Sequence, residues 1–180
     1  MKATGIVRRI DDLGRVVIPK EIRRTMRIRE GDPLEIYTEK DGEVIFKKYS
    51  PMGEIGEFAG QICESMYKTA DFPAAVCDRD GVIAAAGSGR KELLDRHISR
   101  ELEEIMEGRR AWRSAAGDKG IPVTDREDSP RAAIAVPILS EGDVLGCVVF
   151  SERADGAKAG ESELKMATAV AGFLGKQMES

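Results

Sequence analysis

The first fifty residues alternate short apolar runs with turn residues. Four runs rich in β-branched or aromatic residues are expected to be strands: 5–10, 15–18, 34–37 and 44–46. The polar turn at residues 11–14 joins the first two, and Gly14 can supply a positive φ where the chain reverses. The Asp41-Gly42 pair between the last two predicts a hairpin, because this dipeptide suits tight turns.

Between the second and third predicted strands, residues 20–27 predict a helix that starts after Pro19. At about 100° per residue, four cations fall within an arc of about 100°. These are Lys20, Arg23, Arg24 and Arg27. Ile22 and Met26 lie together on another side. One face is therefore expected to contact a core, and another to form a cationic stripe.

This β-β-α-β-β segment is too small for a good core of its own, and units of this size usually need metal, disulfides or oligomerisation. The cysteines Cys63, Cys77 and Cys147 are far apart, and His97 is the only histidine. Neither a zinc site nor a disulfide framework is supported, so the cysteines are expected to be small buried hydrophobic residues. Of the three ways to stabilise so small a unit, only pairing between copies of the chain remains. The sequence therefore predicts a homo-oligomer.

After a short linker at residues 50–53, the rest of the chain is long enough to fold as one unit. An amphipathic helix over residues 55–66 precedes a strand–turn–strand, further helical material and a second hairpin over 132–150. From about Gly160, apolar residues alternate steps of three and four, which fits either a docked terminal helix or an inter-subunit bundle. The order predicts an α+β domain: an antiparallel sheet with helices on one side.

Charge separates the two parts. Residues 1–50 carry 12 basic and 9 acidic groups, whereas residues 51–180 carry 16 and 23, in a chain of net charge −4. Such asymmetry indicates a polyanion-binding head on an acidic body, although a solvated charged surface is the plain alternative. No apolar run reaches membrane-spanning length, and residues 1–4 lack a signal-peptide pattern, so a cytoplasmic protein without membrane partners is expected.

The segment from Thr4 to Arg24, with TGIVR, D-x-LGR, VVIP and E-x-RR, resembles the DNA-binding domain of the AbrB family of bacterial transition-state regulators. The resemblance covers residues 1–50 and implies a dimeric, barrel-like swapped-hairpin fold in which two chains interleave their strands. It implies double-stranded DNA as partner. The predicted DNA-binding residues are Arg8, Arg9, Arg15, Arg23, Arg24 and Arg27, the last from the cationic stripe.

Residues 51–180 resemble a GAF domain over Phe72–Gly87 and Ala132–Phe150. GAF domains often bind small molecules or mediate dimerisation, which implies a homodimer, and a homotetramer through this domain and the terminal helices. No cyclic-nucleotide or chromophore motif is recognisable, so any ligand stays unknown and no cofactor or metal is assigned.

The function implied is an activator or repressor of late sporulation genes. The alternative is an antitoxin-type protein-binding module with the same swapped-hairpin fold. The sequence contains no nucleophile–base pair that would indicate an enzyme.

Overall fold

Residues 5–179 are described by a computed structural model, in which the chain separates into two units, Met1–Tyr49 and Ser50–Ser180. The first unit contains helix α1 (Lys20–Thr25) and strands β1 (Leu34–Thr38) and β2 (Val44–Lys48). The two strands form the antiparallel hairpin that Asp41-Gly42 predicted, with Gly42 at a φ of 84° in the turn. Residues 1–4 and 180 lie outside the described part.

Residues 5–10 and 15–18 were expected to be strands, but neither forms a ladder within the single chain. One backbone hydrogen bond closes the turn between them, from Asp11 N–H to Arg15 O at 3.0 Å. A strand needs a hydrogen-bonded neighbour along its whole length. In the described residues of one chain, nothing supplies that neighbour for this segment.

The predicted helix over 20–27 ends earlier, at Thr25, because the chain turns into a Schellman motif. Arg27 adopts a left-handed φ of 51°, and Ile28 N–H donates to Arg23 O at 2.8 Å across the turn. Arg27 takes the position after the helix end that glycine usually holds. The expectation that Arg27 lies on the helical stripe was therefore wrong.

The second unit is built around one antiparallel sheet. Its elements are α2 (Pro51–Glu54), α3 (Gly56–Ala70), β3 (Ala74–Asp78), β4 (Val82–Ala86), α4 (Arg90–Leu93), α5 (Arg100–Gly108), β5 (Trp112–Arg113), β6 (Ile121–Pro122), β7 (Arg131–Ser140), β8 (Asp143–Ser151) and α6 (Glu161–Gln177). The strand order is β4-β3-β8-β7-β5, and β6 also pairs with β7. The predicted α+β class is confirmed. Among residues 5–179, no helix is both long and apolar enough to cross a membrane.

Helices lie on both faces of this sheet, so the expectation of helices on one side was wrong. Val148 and Phe150 of β8 face a core with α3 and α6, whereas Cys147 and Val149 face a second core with α5. Both faces are covered because successive β8 residues are apolar, and a strand points successive side chains to opposite faces. The unbroken run Cys147–Phe150 already carried this signal.

All three cysteines are free and buried, which confirms the prediction that they behave as core residues. Cys63 packs in the first core, and Cys77 and Cys147 pack in the second. Burial raises the pKa of the Cys63 thiol to about 12 and raises the pKa of the other two as well. The neutral thiol therefore dominates at physiological pH, which disfavours thiolate chemistry.

We expect Gly175→Ala to destabilise the second unit by about 2 kcal/mol or more, because the new Cβ would collide with the Leu139 carbonyl oxygen beneath α6. Gly172→Ala in the same helix is the matched control, since its Cβ would meet open space. The control should gain about 0.5–1 kcal/mol from helix propensity. Urea unfolding of both variants measures the difference, and equal stabilities would contradict the packing described here.

Candidate nucleic-acid interface

Five of the six predicted DNA-binding arginines are exposed, and Arg27 is half-buried. The exposed five are Arg8, Arg9, Arg15, Arg23 and Arg24. Apart from Arg15, their side chains form no hydrogen bond or ion pair with another described residue. A guanidinium without a protein partner keeps its charge and its donors available to phosphate oxygens.

Helix α1 places its cations through its own periodicity. Lys20, Arg23 and Arg24 share one side of the helix at about 100° per residue. Pro19 precedes the helix and is buried, and Glu21 occupies the first turn, where a carboxylate suits the positive end of the helix dipole. The stripe predicted from the sequence therefore remains, without Arg27.

Arg15 is held by a tight turn that begins at Asp11. Its Nε donates to Asp11 Oδ2 at 2.8 Å, and its backbone N–H donates to Asp11 Oδ1 at 2.8 Å. These hydrogen bonds hold the pKa of Asp11 below its usual range. The backbone N–H of Arg15 has the largest effect, and the Arg15 side chain has the next largest. The carboxylate is thus ionised at neutral pH. Sequence reasoning missed Asp11, although an aspartate four residues before an arginine, with Gly14 between, was a readable signal.

A buried carboxylate holds the chain just after α1. Asp32 Oδ2 accepts the Arg29 N–H at 2.8 Å and lies 3.4 Å from Lys48 Nζ, and the Asp32 side chain is only 5% exposed. Lys48 Nζ also donates to the Arg27 carbonyl oxygen at 2.8 Å. Strand β2 is thereby tied to the end of the cationic helix. The Lys48 contact spans 21 residues, and no local sequence pattern could have shown it.

The first unit leaves most of its apolar surface uncovered. Within residues 5–49 the only buried apolar residue is Pro19. The exposed large apolar side chains are Ile6, Val7, Ile10, Leu13, Val16, Val17, Met26, Ile36, Tyr37 and Val44. Ten exposed large apolar side chains within residues 5–49 are many for a monomeric protein, and exposed apolar surface of this kind is typical of interfaces.

The second unit has a cleft of about 240 Å³, and Ser88, in the connection between β4 and α4, is one of the residues that line it. Arg153 dominates its chemistry: it bonds Asp71 and Asp155, each at 2.6 Å, and stacks over Phe72 at 5.5 Å. The guanidinium is thus already neutralised by its neighbours. Among the described residues, no three histidine, cysteine or acidic side chains group together as metal ligands.

Two comparisons with solved structures bear on the two units. The GAF domain of a phosphoenolpyruvate-protein phosphotransferase from Coxiella burnetii matches 69% of this chain and 82% of its own, with a TM-score of 0.54 at 11% identity. The second unit therefore has the GAF fold. The solution structure of the N-domain of the transcription factor AbrB is 61% identical over 28% of this chain and 96% of its own, with a TM-score of 0.26.

Sequence comparisons agree for the whole chain. The family model described as "Stage V sporulation protein T C-terminal, transcription factor" matches residues 54–179, and "Antidote-toxin recognition MazE, bacterial antitoxin" matches residues 7–53. The transition state regulatory protein AbrB of Bacillus subtilis is 63% identical over 51 residues, which are 28% of this chain and 52% of that protein. The head is thus AbrB-like.

Stage V sporulation protein T of Bacillus subtilis is 48% identical over 99% of both chains. The chain belongs to the stage V sporulation protein T family.

We expect Asp32→Ala to free the segment that follows α1. Removing the acceptor should cost about 1–3 kcal/mol, because the Arg29 N–H would lose this hydrogen bond and the Lys48 ammonium would lose the nearby carboxylate. Hydrogen exchange at the Arg29 amide should accelerate accordingly. Glu30→Ala, at an exposed neighbouring position, is the control and should stay within about 0.5 kcal/mol. Unchanged protection of the Arg29 amide in Asp32→Ala would contradict the role given to this carboxylate.

Proposed function

We propose that this chain is a DNA-binding transcription regulator that activates or represses late sporulation genes in the cytoplasm. Residues 1–50 bind double-stranded DNA, and residues 51–180 assemble the subunits. The single observation that carries this is the set of exposed arginines over residues 8–15 and on α1, most of them without an acidic partner among the described residues. The whole-length relationship to a sporulation protein supports the developmental role.

Within this proposal, Arg8, Arg9, Arg15, Arg23, Arg24 and Arg27 form the DNA-binding set. Arg23 and Arg24 suit phosphate contacts, since they project from one helix at a set spacing. Arg27 is half-buried and left-handed, so it serves the set mainly through the shape of the turn after α1.

A second copy of the chain is the proposed cover for the apolar surface of the head. The uncovered side chains belong mostly to residues 5–18, the segment that lacks a strand neighbour. Pairing with the same segment of a second copy would supply both the hydrogen-bond ladder and the burial. This agrees with the swapped-hairpin arrangement that the family resemblance implies.

The body offers a separate surface for assembly into a homotetramer. The rings of Phe58 in α3 and Phe173 in α6 contact each other in a tilted arrangement with centroids 6.0 Å apart, and both residues are more than one-third exposed. Aromatic residues are enriched at the buried centres of protein–protein interfaces. The terminal helices α3 and α6 are therefore the proposed contact between dimers.

A small-molecule ligand for the GAF-fold unit remains a prediction, and its chemical class is not assigned. The antitoxin alternative has one observation in its favour, the antitoxin family match at residues 7–53. Recovery of a stoichiometric protein partner in a pull-down with the full chain would favour it. Failure of the same protein to bind DNA would also favour the antitoxin alternative.

We expect Arg23→Ala or Arg15→Ala to weaken DNA binding about tenfold or more, because each removes a charge-assisted contact. Affinity should also fall steeply as salt rises, since phosphate contacts release counterions. Fluorescence anisotropy with duplex DNA measures both effects. Arg110→Ala, an exposed arginine of the second unit, is the control and should bind as the unaltered chain does. The proposal would be contradicted by an affinity that does not depend on salt. It would also be contradicted if both head variants bound DNA as tightly as the unaltered chain.

Assembly can be tested by placing one charge on each surface. Val17→Asp in the head and Phe173→Glu in the body should each convert the tetramer to dimers, because a buried unpaired charge is costly. The double variant should be monomeric. Native mass spectrometry reads the states directly, with Lys158→Glu on an exposed loop as the control. A tetramer that survives Phe173→Glu would rule out α6 as the contact.

A further inference from the structure

The turn Asp11–Arg15 is closed by hydrogen bonds that all involve Asp11. Its N–H donates to Arg15 O and its carbonyl oxygen accepts the Gly14 N–H, each at 3.0 Å. Its Oδ1 accepts the backbone N–H groups of Leu13 at 3.0 Å and Arg15 at 2.8 Å. Gly14 adopts a φ of 75°, which suits a residue without a side chain. The backbone that carries Arg15 is thus defined by one carboxylate.

The same carboxylate orients the Arg15 guanidinium through Nε alone, at 2.8 Å from Oδ2. Nη1 and Nη2 form no hydrogen bond with a described residue, and the side chain is 70% exposed. The Nη1/Nη2 edge therefore keeps its donors for a ligand while the opposite side of the group is anchored. Among the DNA-binding set, Arg8, Arg9, Arg23 and Arg24 have no such anchor within the described residues.

This difference separates two kinds of DNA contact. A phosphate attracts a guanidinium chiefly through charge, and a carboxylate beside the guanidinium offsets that attraction and repels the phosphate. The guanine edge presents two uncharged acceptors, O6 and N7, which an arginine reads bidentately, so orientation matters more than net charge. A guanidinium that is neutralised on one side and free on the other is therefore better suited to a guanine edge than to a phosphate.

We propose that Asp11 is a specificity-determining positioning residue, which holds Arg15 for bidentate contact with a guanine in the major groove. The inference rests on the proposed DNA-binding function and adds a division of labour to it. Arg15 reads a base, whereas Arg23 and Arg24 grip phosphates. Asp11 itself does not contact DNA and acts only through Arg15.

The test starts with a duplex selected from random DNA by the unaltered full-length chain, with a scrambled duplex of equal length for comparison. Asp11→Asn removes the charge but keeps an oxygen that can accept the turn N–H groups. We expect it to lower the ratio of selected to scrambled affinity about tenfold, within the range of one bidentate base contact. Affinity for the scrambled duplex should stay level or rise slightly. Arg15→Ala should lower the ratio similarly, and adding Asp11→Asn to Arg15→Ala should change it no further.

Salt dependence gives a second readout that a merely structural role would not produce. Arg24→Ala should reduce the slope of log affinity against log salt by about one for each phosphate that the variant no longer neutralises, whereas Arg15→Ala should leave the slope nearly unchanged. A third readout needs no variant. Replacing one selected guanine at a time by 7-deazaguanine, which lacks N7, should identify a position where the affinity of the unaltered chain falls about tenfold and that of Arg15→Ala does not change.

The outcomes separate this inference from the function beneath it. If the unaltered chain selects no duplex and binds DNA without salt dependence, both the proposed function and this inference fail. If it binds DNA but Asp11→Asn changes selected and scrambled affinities equally, Asp11 is only a repulsive charge and this inference alone fails. It also fails if no 7-deazaguanine substitution lowers the affinity of the unaltered chain while leaving that of Arg15→Ala unchanged. This readout does not depend on whether the Asp11 variant folds.

Discussion

The head of this protein cannot bury its own apolar surface, and its proposed activity depends on that constraint. Within residues 5–49 the only buried apolar residue is Pro19, and the one sheet is the two-stranded β1–β2 hairpin. A lone hairpin is marginally stable in water, whereas burying a single valine or leucine side chain is worth about 1.5–3 kcal/mol. The uncovered side chains therefore represent a large free energy of burial, which the proposed pairing with a second copy would supply. The surface that carries Arg15 and the surface that needs a partner belong to the same segment, residues 5–18. The proposed DNA binding and the proposed assembly therefore depend on the same segment of the head.

Acidic residues in the head serve geometry more than charge balance. Asp11 closes the turn before Arg15, and Asp32 secures the chain after α1 through the Arg29 N–H and Lys48. Each accepts a backbone N–H and contacts a nearby cation, Arg15 for Asp11 and Lys48 for Asp32. Arg23 and Arg24 of α1 have no ion-pair partner among the described residues. Like charges on a short helix repel one another, and the Asp32 contacts hold the chain that directly follows α1.

The local pattern of the sequence predicted most elements, and the failures have physical causes. Periodic segments such as α3 and the β7–β8 hairpin were recognisable because each repeats its own signal over many residues. Arg27 was misplaced because a Schellman turn with a non-glycine residue leaves no mark in composition. The strands expected before α1 failed in one chain because a ladder depends on a neighbour that sequence periodicity does not identify. The contact between Asp32 and Lys48 joins residues distant in sequence, and only the fold brings them together. The exposed arginines were predictable, whereas their supports were not.

Fold alone does not decide what the head binds. The same stretch matches an antitoxin family over residues 7–53 and a transition-state regulator at 63% identity. Related folds host unrelated functions, and the difference lies in the side chains that the fold presents. Here those side chains are arginines of two environments, one anchored through Nε to Asp11 and others with no acidic partner among the described residues. A protein-binding surface gains little from that distinction. A surface that must both grip a uniform backbone and read a particular base needs it, because charge alone serves the first task and orientation serves the second.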